Sequence, residues 1–465
     1  MISETVVELS RWQFAITAIL HFLFIPLTLG LALLLALMES AYVLTGRSVY
    51  QAMAHLWGRL FAINFTLAMA TRLLVVCQFG MNGSYFSHYA GDIFALPLAI
   101  EALTSFFLAA VLFGPYWFGW ERLGKYQHLI VTWVIVLAVN ASTYWILLAN
   151  GWMQNPVAAS FNYQSYRIEL TDFAAFLSNP ATIEKYLHTV AASYVTAAAT
   201  LMGISAFWLL KKQDDELASK SFKLAAVVGM LAIVITVGLG DDTPYLNNSA
   251  QLAKRAAIHG QVNQNLLPDI ETRIRSGIKA YVLLQDLRDD NKDPQLLAEF
   301  DQHKANLGYA WLLTPWHKDI IDAKDKQIAL AAQSALPAYP TLLFWVYRLM
   351  IACGLVSLAL FTLAAWHSVI NKPLSVFLLR WSLYLVPLPW LACIAGWFVA
   401  EAGKQPWAIA GLLPTFWGVS SLTVPQLLIS SIGYMIAYLA LLVAGGYLMR
   451  QTILDRGLNK SGVQR

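Results

Sequence analysis

Nine long apolar stretches run through this 465-residue sequence and restrict the folds that it can adopt. A helix needs about 20 apolar residues to cross the hydrocarbon core of a bilayer. Inside a bilayer every backbone polar group needs a partner, which a helix supplies within itself. The sequence therefore predicts an all-α polytopic membrane bundle. The expected spans are roughly 14–40, 54–80, 94–119, 128–151, 184–210, 222–240, 339–366, 379–401 and 425–449.

The composition agrees with a membrane protein. Charged residues make up 12% of the chain and apolar residues 58%, whereas soluble domains have about 25% charged residues. The basic residues lie beside the apolar stretches, so we expect a lipid bilayer and no nucleic acid as partner. Cys77, Cys353 and Cys393 lie in apolar stretches without the spacing of a metal or redox pair, so they are interpreted as packing residues.

One long polar segment, 241–338, separates the sixth and seventh spans. It carries charged, helix-like stretches and is predicted to be a folded loop outside the membrane. The chain is thus divided into six spans in 1–240, the loop in 241–338, and three spans with a tail in 339–465.

Basic residues indicate the orientation, because short cytoplasmic loops carry the excess of Lys and Arg. One set of short connections, with the C-terminal tail, is rich in them. These residues are Arg47, Arg59, Arg122, Lys125, Lys211, Lys212, Lys220, Lys223, Lys372, Arg380, Arg450, Arg456, Lys460 and Arg465. The short connections of the other set carry only Arg167, Lys185 and Lys404. This bias predicts an N-terminus outside the cell, a cytoplasmic C-terminus and an outer position for the long loop.

Six ionisable residues are expected to be buried in the lipid-spanning helices, where charge is costly and usually functional. A single histidine there can simply hydrogen-bond to a neighbouring helix, and a glutamate near a helix end can reach the interface. Six together indicate either an ion path or cofactors that carry charge. They are His21, Arg72, Glu101, His188, Arg348 and Glu401.

The residue types suit haem iron. His21 and His188 offer imidazoles, and Met350 offers a thioether. A His/Met ligand pair is typical of a low-spin electron-transfer haem. Arg348, two residues before Met350, is placed to pair with a haem propionate. Methionine in a span is ordinarily a packing residue, so the ligand types alone leave haem as one hypothesis beside an ion path.

At these residues the sequence resembles subunit I of the cytochrome bd-type quinol oxidases. The resemblance extends over nearly the whole chain and includes the nine spans and the long loop. The matching stretches are "ELSRWQFAITAILHFLFIPLTLG", "QFGMNGSYFSHYAGDIFALPLAIEAL", "ILLANGWMQNP", "LHTVAASYVT", "YRLMIACG" and "GWFVAEAGKQPW". It implies a subunit of a terminal respiratory oxidase in the bacterial cytoplasmic membrane.

The resemblance implies three haems. His188 and Met350 would ligate a low-spin haem b, which Arg348 would steady. His21 and Glu401 would supply axial ligands to two high-spin haems, one of type b and one of type d or a third b. Which of these two residues serves which iron stays open.

The resemblance also implies the reaction. Glu101 would lie beside the oxygen-reducing pair as a ligand or a proton-delivery group. Quinol would be oxidised at the outer loop, and dioxygen would be reduced to water with protons from the cytoplasm. Lys254 matches the lysine of the family's quinol loop, and His259 stands where the family usually has a glutamate. The expected partners are a second membrane subunit (subunit II) and, in some oxidases, a small single-span subunit.

Four further positions depart from the family's pattern. Val76 and Ala109 replace glutamates, Arg72 replaces a small residue, and Lys404 replaces the arginine of a GRQPW motif. They leave open an oxidase-like haem protein with a different electron donor. A third hypothesis, a proton or solute transporter that uses the buried charges, lacks the internal repeat that many transporters show.

Overall fold

The computed structural model describes residues 3–213, 215–240, 249–261, 264–288, 293–317 and 319–454. Within these residues, nine helical stretches are long and apolar enough to cross a membrane. Each overlaps one predicted span, so the prediction of a nine-span helical membrane protein is confirmed. The stretches are Glu4–Thr45, Ser48–Asn82, Ser84–Phe118, Lys125–Gln154, Phe173–Leu210, Glu216–Gly238, Pro340–Val369, Val376–Ala402 and Val424–Leu454.

Several spans are built from more than one helix. The helices of the spans are α1 (Glu4–Phe22), α2 (Ile25–Thr45), α3 (Ser48–Asn82), α4 (Ser84–Ile100), α5 (Phe107–Phe118), α6 (Lys125–Gln154), α7 (Phe173–Leu177), α8 (Pro180–Leu210), α9 (Asp215–Gly238), α15 (Pro340–Val369), α16 (Val376–Leu385), α17 (Pro387–Ala402) and α19 (Val424–Leu454). The other helices are α10 (Ser249–Ile258), α11 (Leu267–Arg288), α12 (Pro294–His303), α13 (Leu307–Trp311), α14 (Asp325–Ser334) and α18 (Thr415–Gly418).

Three spans break beside a proline. The first divides between α1 and α2, and Pro26 lies in the first turn of α2. In the fifth, α7 and α8 are separate helices, and Pro180 is the first residue of α8. The eighth divides between α16 and α17, and Pro387 is the first residue of α17. Proline is tolerated at the start of a helix, but it removes a hydrogen bond from the helix interior. The third span instead contains a π-helical turn, Glu101–Phe106, between α4 and α5, which we call the π segment.

Helix α8 lies at the centre of the bundle, in contact with α2, α6, α9 and α16. Helix α2 passes it closely at Gly30. A Cβ atom on Gly30 would lie 2.3 Å from the Ala197 Cβ and 2.7 Å from the Ser193 carbonyl oxygen. Small residues at such crossings let membrane helices approach each other.

Two short β-hairpins lie within the connections between the spans. Strand β1 (Ala159–Asn162) pairs antiparallel with β2 (Arg167–Leu170), and β3 (Trp407–Ile409) pairs with β4 (Leu413–Pro414). Both hairpins lie in connections between the predicted spans, where the sequence shows no strand pattern. Each strand has four residues or fewer, too short for an alternating pattern to be recognised.

The described part of the long loop is folded, and its helices pack on these hairpins. Tyr309 of α13 lies edge-on to Trp407, with ring centroids 4.9 Å apart. Its hydroxyl hydrogen-bonds with that of Ser249 at 2.5 Å, which joins α13 to α10. Burial raises the pKa of the Tyr309 phenol, so this group stays neutral within the loop.

One end of the bundle is called the outer end. Here helices α10–α14 of the long loop meet the connections between spans 2–3, 4–5 and 8–9. There the Gln251 amide donates to the Gln154 carbonyl oxygen (2.9 Å), and the Ala410 N–H donates to that of Met153 (2.9 Å). At the opposite, inner end the Lys223 ammonium donates to Asn371 (2.8 Å). The alternation of connections that the spans predict is therefore present.

Candidate functional site

A cavity lies beside His21, between α1, α2, α3, the π segment, α5 and α6. The His21 Nδ1 atom is 2.9 Å from the Thr71 hydroxyl, and this contact orients the ring. The wall is apolar apart from a few side chains on α1, α2, α3 and α6. The lining residues are His21, Ile25, Thr28, Leu29, Phe65, Ala68, Met69, Arg72, Phe106, Ala109, Val139, Ser142 and Thr143.

Glu101 lies behind this cavity at the start of the π segment, with no exposed surface. The Arg72 guanidinium donates to both carboxylate oxygens, and the Ser142 hydroxyl donates to one of them. The guanidinium also lies over the Phe106 ring, 4.4 Å from its centroid. Single π-helical turns are frequent at functional sites.

Glu401 lies at the outer end of α17, within a network of polar side chains. The Lys404 ammonium is 2.7 Å from one carboxylate oxygen. The other oxygen accepts from the amides of Asn150 (3.1 Å) and Gln154 (3.3 Å) on α6. Asn150 in turn accepts from the Lys185 ammonium of α8 at 2.6 Å. Residues of three helices, α6, α8 and α17, and of the turn after α17 thus form one network around this carboxylate.

Lys254 of α10 belongs to the same region. Its stem crosses Gly403, where a Cβ atom would lie 2.5 Å from the Lys254 Cγ. Lys254 and Lys404 are 8% and 3% exposed, and both act electrostatically on Lys185. We call Lys185, Lys254 and Lys404 the lysine cluster. Three lysines lie near the two carboxylates Glu401 and Glu184, so basic side chains outnumber acidic ones in this region.

Helix α17 lies close to Met350 of α15, to the helix of His21 and to Lys185 of α8. A Cβ atom on Gly396 would lie 3.1 Å from the Met350 sulfur. The neighbouring Trp397 ring lies edge-on to Phe22, with centroids 5.3 Å apart, and 5.6 Å from the Lys185 ammonium. Trp397 therefore contacts the helix of His21 on one side and the helix of His188 on the other.

His188 is half-buried on α8, three residues after Lys185, so the two side chains project from adjacent positions on one helix face. Arg348 of α15 is anchored at the outer end. Its guanidinium donates to the carbonyl oxygens of Ile258 and Phe344, both at 3.0 Å. Ile258 is the last residue of α10, so Arg348 binds a helix C-terminus, where cations are stabilising.

The two predicted quinol residues do not share one site. Lys254 points into the lysine cluster, whereas His259, just after the end of α10, is exposed. The His259 ring centroid is 6.4 Å from that of Tyr347. His259 lines a surface pocket together with Leu252, Arg255, Ala256 and Gln261.

Sequence reasoning missed several residues of the Glu401 network. Asn150 and Gln154 are four residues apart in an apolar stretch, and that spacing places both on one helix face. Amides at this spacing within a span are a signal that could have been recognised. Lys185 was assigned only to the outer connections. Of the departures from the family's pattern, Arg72 and Ala109 line the cavity, Lys404 pairs with Glu401, and Val76 is exposed on α3.

Comparison with known proteins gives one consistent result. The family model for cytochrome bd terminal oxidase subunit I matches residues 9–456. The chain is 39% identical to the cytochrome bd-II ubiquinol oxidase subunit 1 of Escherichia coli strain K12, over 96% of each chain. It is 33% identical to the cytochrome bd ubiquinol oxidase subunit 1 of Bacillus subtilis strain 168, over 93% of this chain and 90% of the relative. Its fold is similar to that of the bd oxidase from Geobacillus thermodenitrificans, with a TM-score of 0.71 and 20% identity over 97% and 99% of the two chains.

Proposed function

This chain belongs to the cytochrome bd terminal oxidase subunit I family, and from that premise we propose that it binds the oxidase's haems, oxidises quinol and reduces dioxygen to water. It is a multi-pass membrane oxidoreductase of the quinol oxidase class and not a transporter. The observation that carries the proposal is the lysine cluster around Glu401, which lies beside Trp397 and the helices of His188 and Met350.

We assign His188 and Met350 as the axial ligands of a low-spin haem b. The donors fit such a group, because one is an imidazole and the other a thioether. Gly396 keeps space beside the Met350 sulfur, and Trp397 offers an aromatic face in the same region. A haem held by these two residues would supply single-electron transfer. Arg348 acts on this site through α15, which it ties to the C-terminus of α10.

The lysine cluster is suited to binding the propionate groups of a haem. Its three basic side chains, largely removed from water, would favour carboxylates such as haem propionates. Lys404 offers a compact point charge where an arginine would offer a planar fork. Lys404 would thus neutralise a propionate without fixing its orientation as an arginine does.

We assign His21 and Glu401 to the two high-spin haems, one of type b and the other of type d or b. His21 fits an axial role because its Nδ1 contacts Thr71 and its ring lines a cavity. Glu401 fits as a carboxylate that is already charge-balanced. Glu101 lies next to the His21 cavity, where we place dioxygen reduction.

Quinol oxidation is placed at the outer end, along α10. Quinol gives up two protons with its two electrons, so a proton acceptor near its hydroxyl assists the reaction. His259 is exposed in a pocket and can take this role, while Lys254 lies deeper, in the lysine cluster. This separation also favours the second candidate, an oxidase of this family with a different electron donor.

The proposed setting is a bacterial cytoplasmic membrane, with the outer end and the N-terminus outside. The expected partners are a second membrane subunit and a small single-span subunit. Apolar side chains along α5, α15 and α19 are exposed, so these helices face lipid or such subunits.

Four variants of the purified oxidase test the ligand assignment. His188→Ala and Met350→Leu should each remove the low-spin haem bands from a reduced-minus-oxidised spectrum and leave the high-spin bands. The controls are the exposed His88→Ala and Met435→Leu, which should leave the spectrum unchanged. Normal low-spin bands in both ligand variants would refute the assignment.

A further inference from the structure

We propose that Arg72 is a positioning residue of the His21 cavity, which clamps Glu101 as a fixed counter-ion and thereby sets the charge beside the high-spin haems. In this proposal Glu101 is not an iron ligand. The proposal rests on the function proposed above, since it assumes that the His21 cavity is the high-spin site.

The first argument is that both oxygens of Glu101 are already engaged. One accepts from an Arg72 amino group and from the Ser142 hydroxyl, and the other accepts from the second Arg72 amino group. Two-point pairing of Arg with a carboxylate is among the strongest hydrogen-bonded arrangements. Iron ligation by Glu101 would have to break this pair in a site where the carboxylate has no exposed surface.

The second argument is that Arg72 holds both ends of the π segment. Glu101 is its first residue and Phe106 its last. The guanidinium pairs with Glu101 and lies 4.4 Å from the centroid of the Phe106 ring, as in a cation–π contact. One side chain from α3 thus fixes the irregular turn that forms part of the cavity wall.

The third argument concerns charge. Arg72 is the one Arg, Lys, Asp or Glu among the described residues that line the cavity, and its 19% exposed side chain is balanced by Glu101 behind the wall. With both groups charged, the pair contributes no net charge beside the iron. Removing one partner of a buried pair leaves an uncompensated charge, whereas removing both can be nearly neutral.

A double-mutant cycle in the purified oxidase complex tests the clamp through the midpoint potentials of the high-spin haems. Arg72→Gln leaves a net negative charge, which stabilises the oxidised iron and lowers the potential. Glu101→Gln leaves a net positive charge and raises it. Arg72→Gln/Glu101→Gln should return close to the wild-type value, and Arg72→Lys should shift less than Arg72→Gln. Arg450→Gln, exposed at the inner end of α19, is the control with no shift.

Shifts of the same sign in the two single variants, or no shift in either, would overturn the proposal. Thermal unfolding of the same proteins is a second readout that does not depend on haem. Each single variant should lower the unfolding temperature, and the double variant should lower it less than the sum of the two. Additive losses would exclude the clamp. If the wild-type complex holds no haem, the proposed function fails, and the unfolding cycle still decides whether the clamp exists.

Discussion

At the scale of single residues, Gly396 shows how a missing side chain supports a functional one. Its backbone lies so close to Met350 that a Cβ atom would be 3.1 Å from the sulfur. The motif "GWFVAEAGKQPW" made Glu401 visible from the sequence, because a carboxylate next to an apolar stretch is unusual. The role of Gly396 was not predictable, because it depends on how α15 packs against α17.

The variant Gly396→Ala should change the low-spin haem while leaving it bound. The new methyl group forces the Met350 sulfur to move by a few tenths of an ångström, which would weaken or redirect the proposed haem ligand. We expect a shifted midpoint potential and a changed absorption band of the low-spin haem. Gly354→Ala is the control, because it lies on the helix of Met350 and its new methyl group meets nothing within 4 Å. Equal spectra and potentials for both variants would contradict the packing argument.

Lys404 should be needed for the Glu401 network. Lys404→Met leaves Glu401 without its 2.7 Å partner, and Lys404→Arg keeps the charge. Breaking a fully buried pair costs about 3–5 kcal/mol, and we expect about 1–3 kcal/mol here because the Glu401 side chain is 37% exposed. The unfolding temperature and the haem content should fall for Lys404→Met and stay close to the wild-type values for Lys404→Arg. Equal losses of stability and haem in both variants would indicate that the network depends on the shape of the Lys404 side chain and not on its charge.

At the scale of helices, the spans were predictable and their interruptions were not. Hydropathy finds a span because about 20 apolar residues are needed in any context. Prolines do not identify the breaks, since α4 and α5 continue through Pro97 and Pro115, whereas breaks occur beside Pro26 and Pro387. Whether a helix tolerates a proline depends on the neighbours that satisfy its freed carbonyl groups, and the sequence does not show these neighbours.

Gly30→Ala should destabilise the crossing of α2 and α8. The added methyl group would overlap Ala197 and the Ser193 backbone, which cannot rotate away. Overpacking of this kind costs about 1–3 kcal/mol. Gly446→Ala on α19 meets nothing within 4 Å and should gain up to about 1 kcal/mol from helix propensity. The measurement is the thermal unfolding of both variants. If Gly30→Ala does not lose more stability than Gly446→Ala, the close crossing of α2 and α8 is contradicted.

At the scale of the whole molecule, the outer end gathers groups from distant parts of the sequence. Asn150, Lys185, Lys254 and Glu401 come from four elements, and only the fold brings them together. Glu401 was visible in the sequence as a carboxylate beside an apolar stretch, whereas Lys254 was found only through the family resemblance. The resemblance assigned Lys254 and His259 to one quinol site, but the structure places these two side chains in different surroundings.

The orientation of the bundle is testable by cysteine labelling in cells. In a Cys77→Ser background, Gln164→Cys lies at the outer end and Glu121→Cys at the inner end, both exposed. The distribution of basic residues predicts that a membrane-impermeant thiol reagent labels Gln164→Cys in intact cells and Glu121→Cys only after lysis. The reverse pattern would invert the orientation and move quinol oxidation to the cytoplasmic side.

The most direct test of the whole account is anaerobic reduction of the purified oxidase by a quinol, followed by absorption spectroscopy. In the wild-type protein we predict that the low-spin haem bands appear first, that the high-spin bands follow, and that added oxygen reverses both. His188→Ala, at matched haem content of the high-spin sites, should lose the fast phase. A wild-type protein that contains haem but is not reduced by quinol would contradict the quinol assignment, and one that contains no haem would contradict the account as a whole.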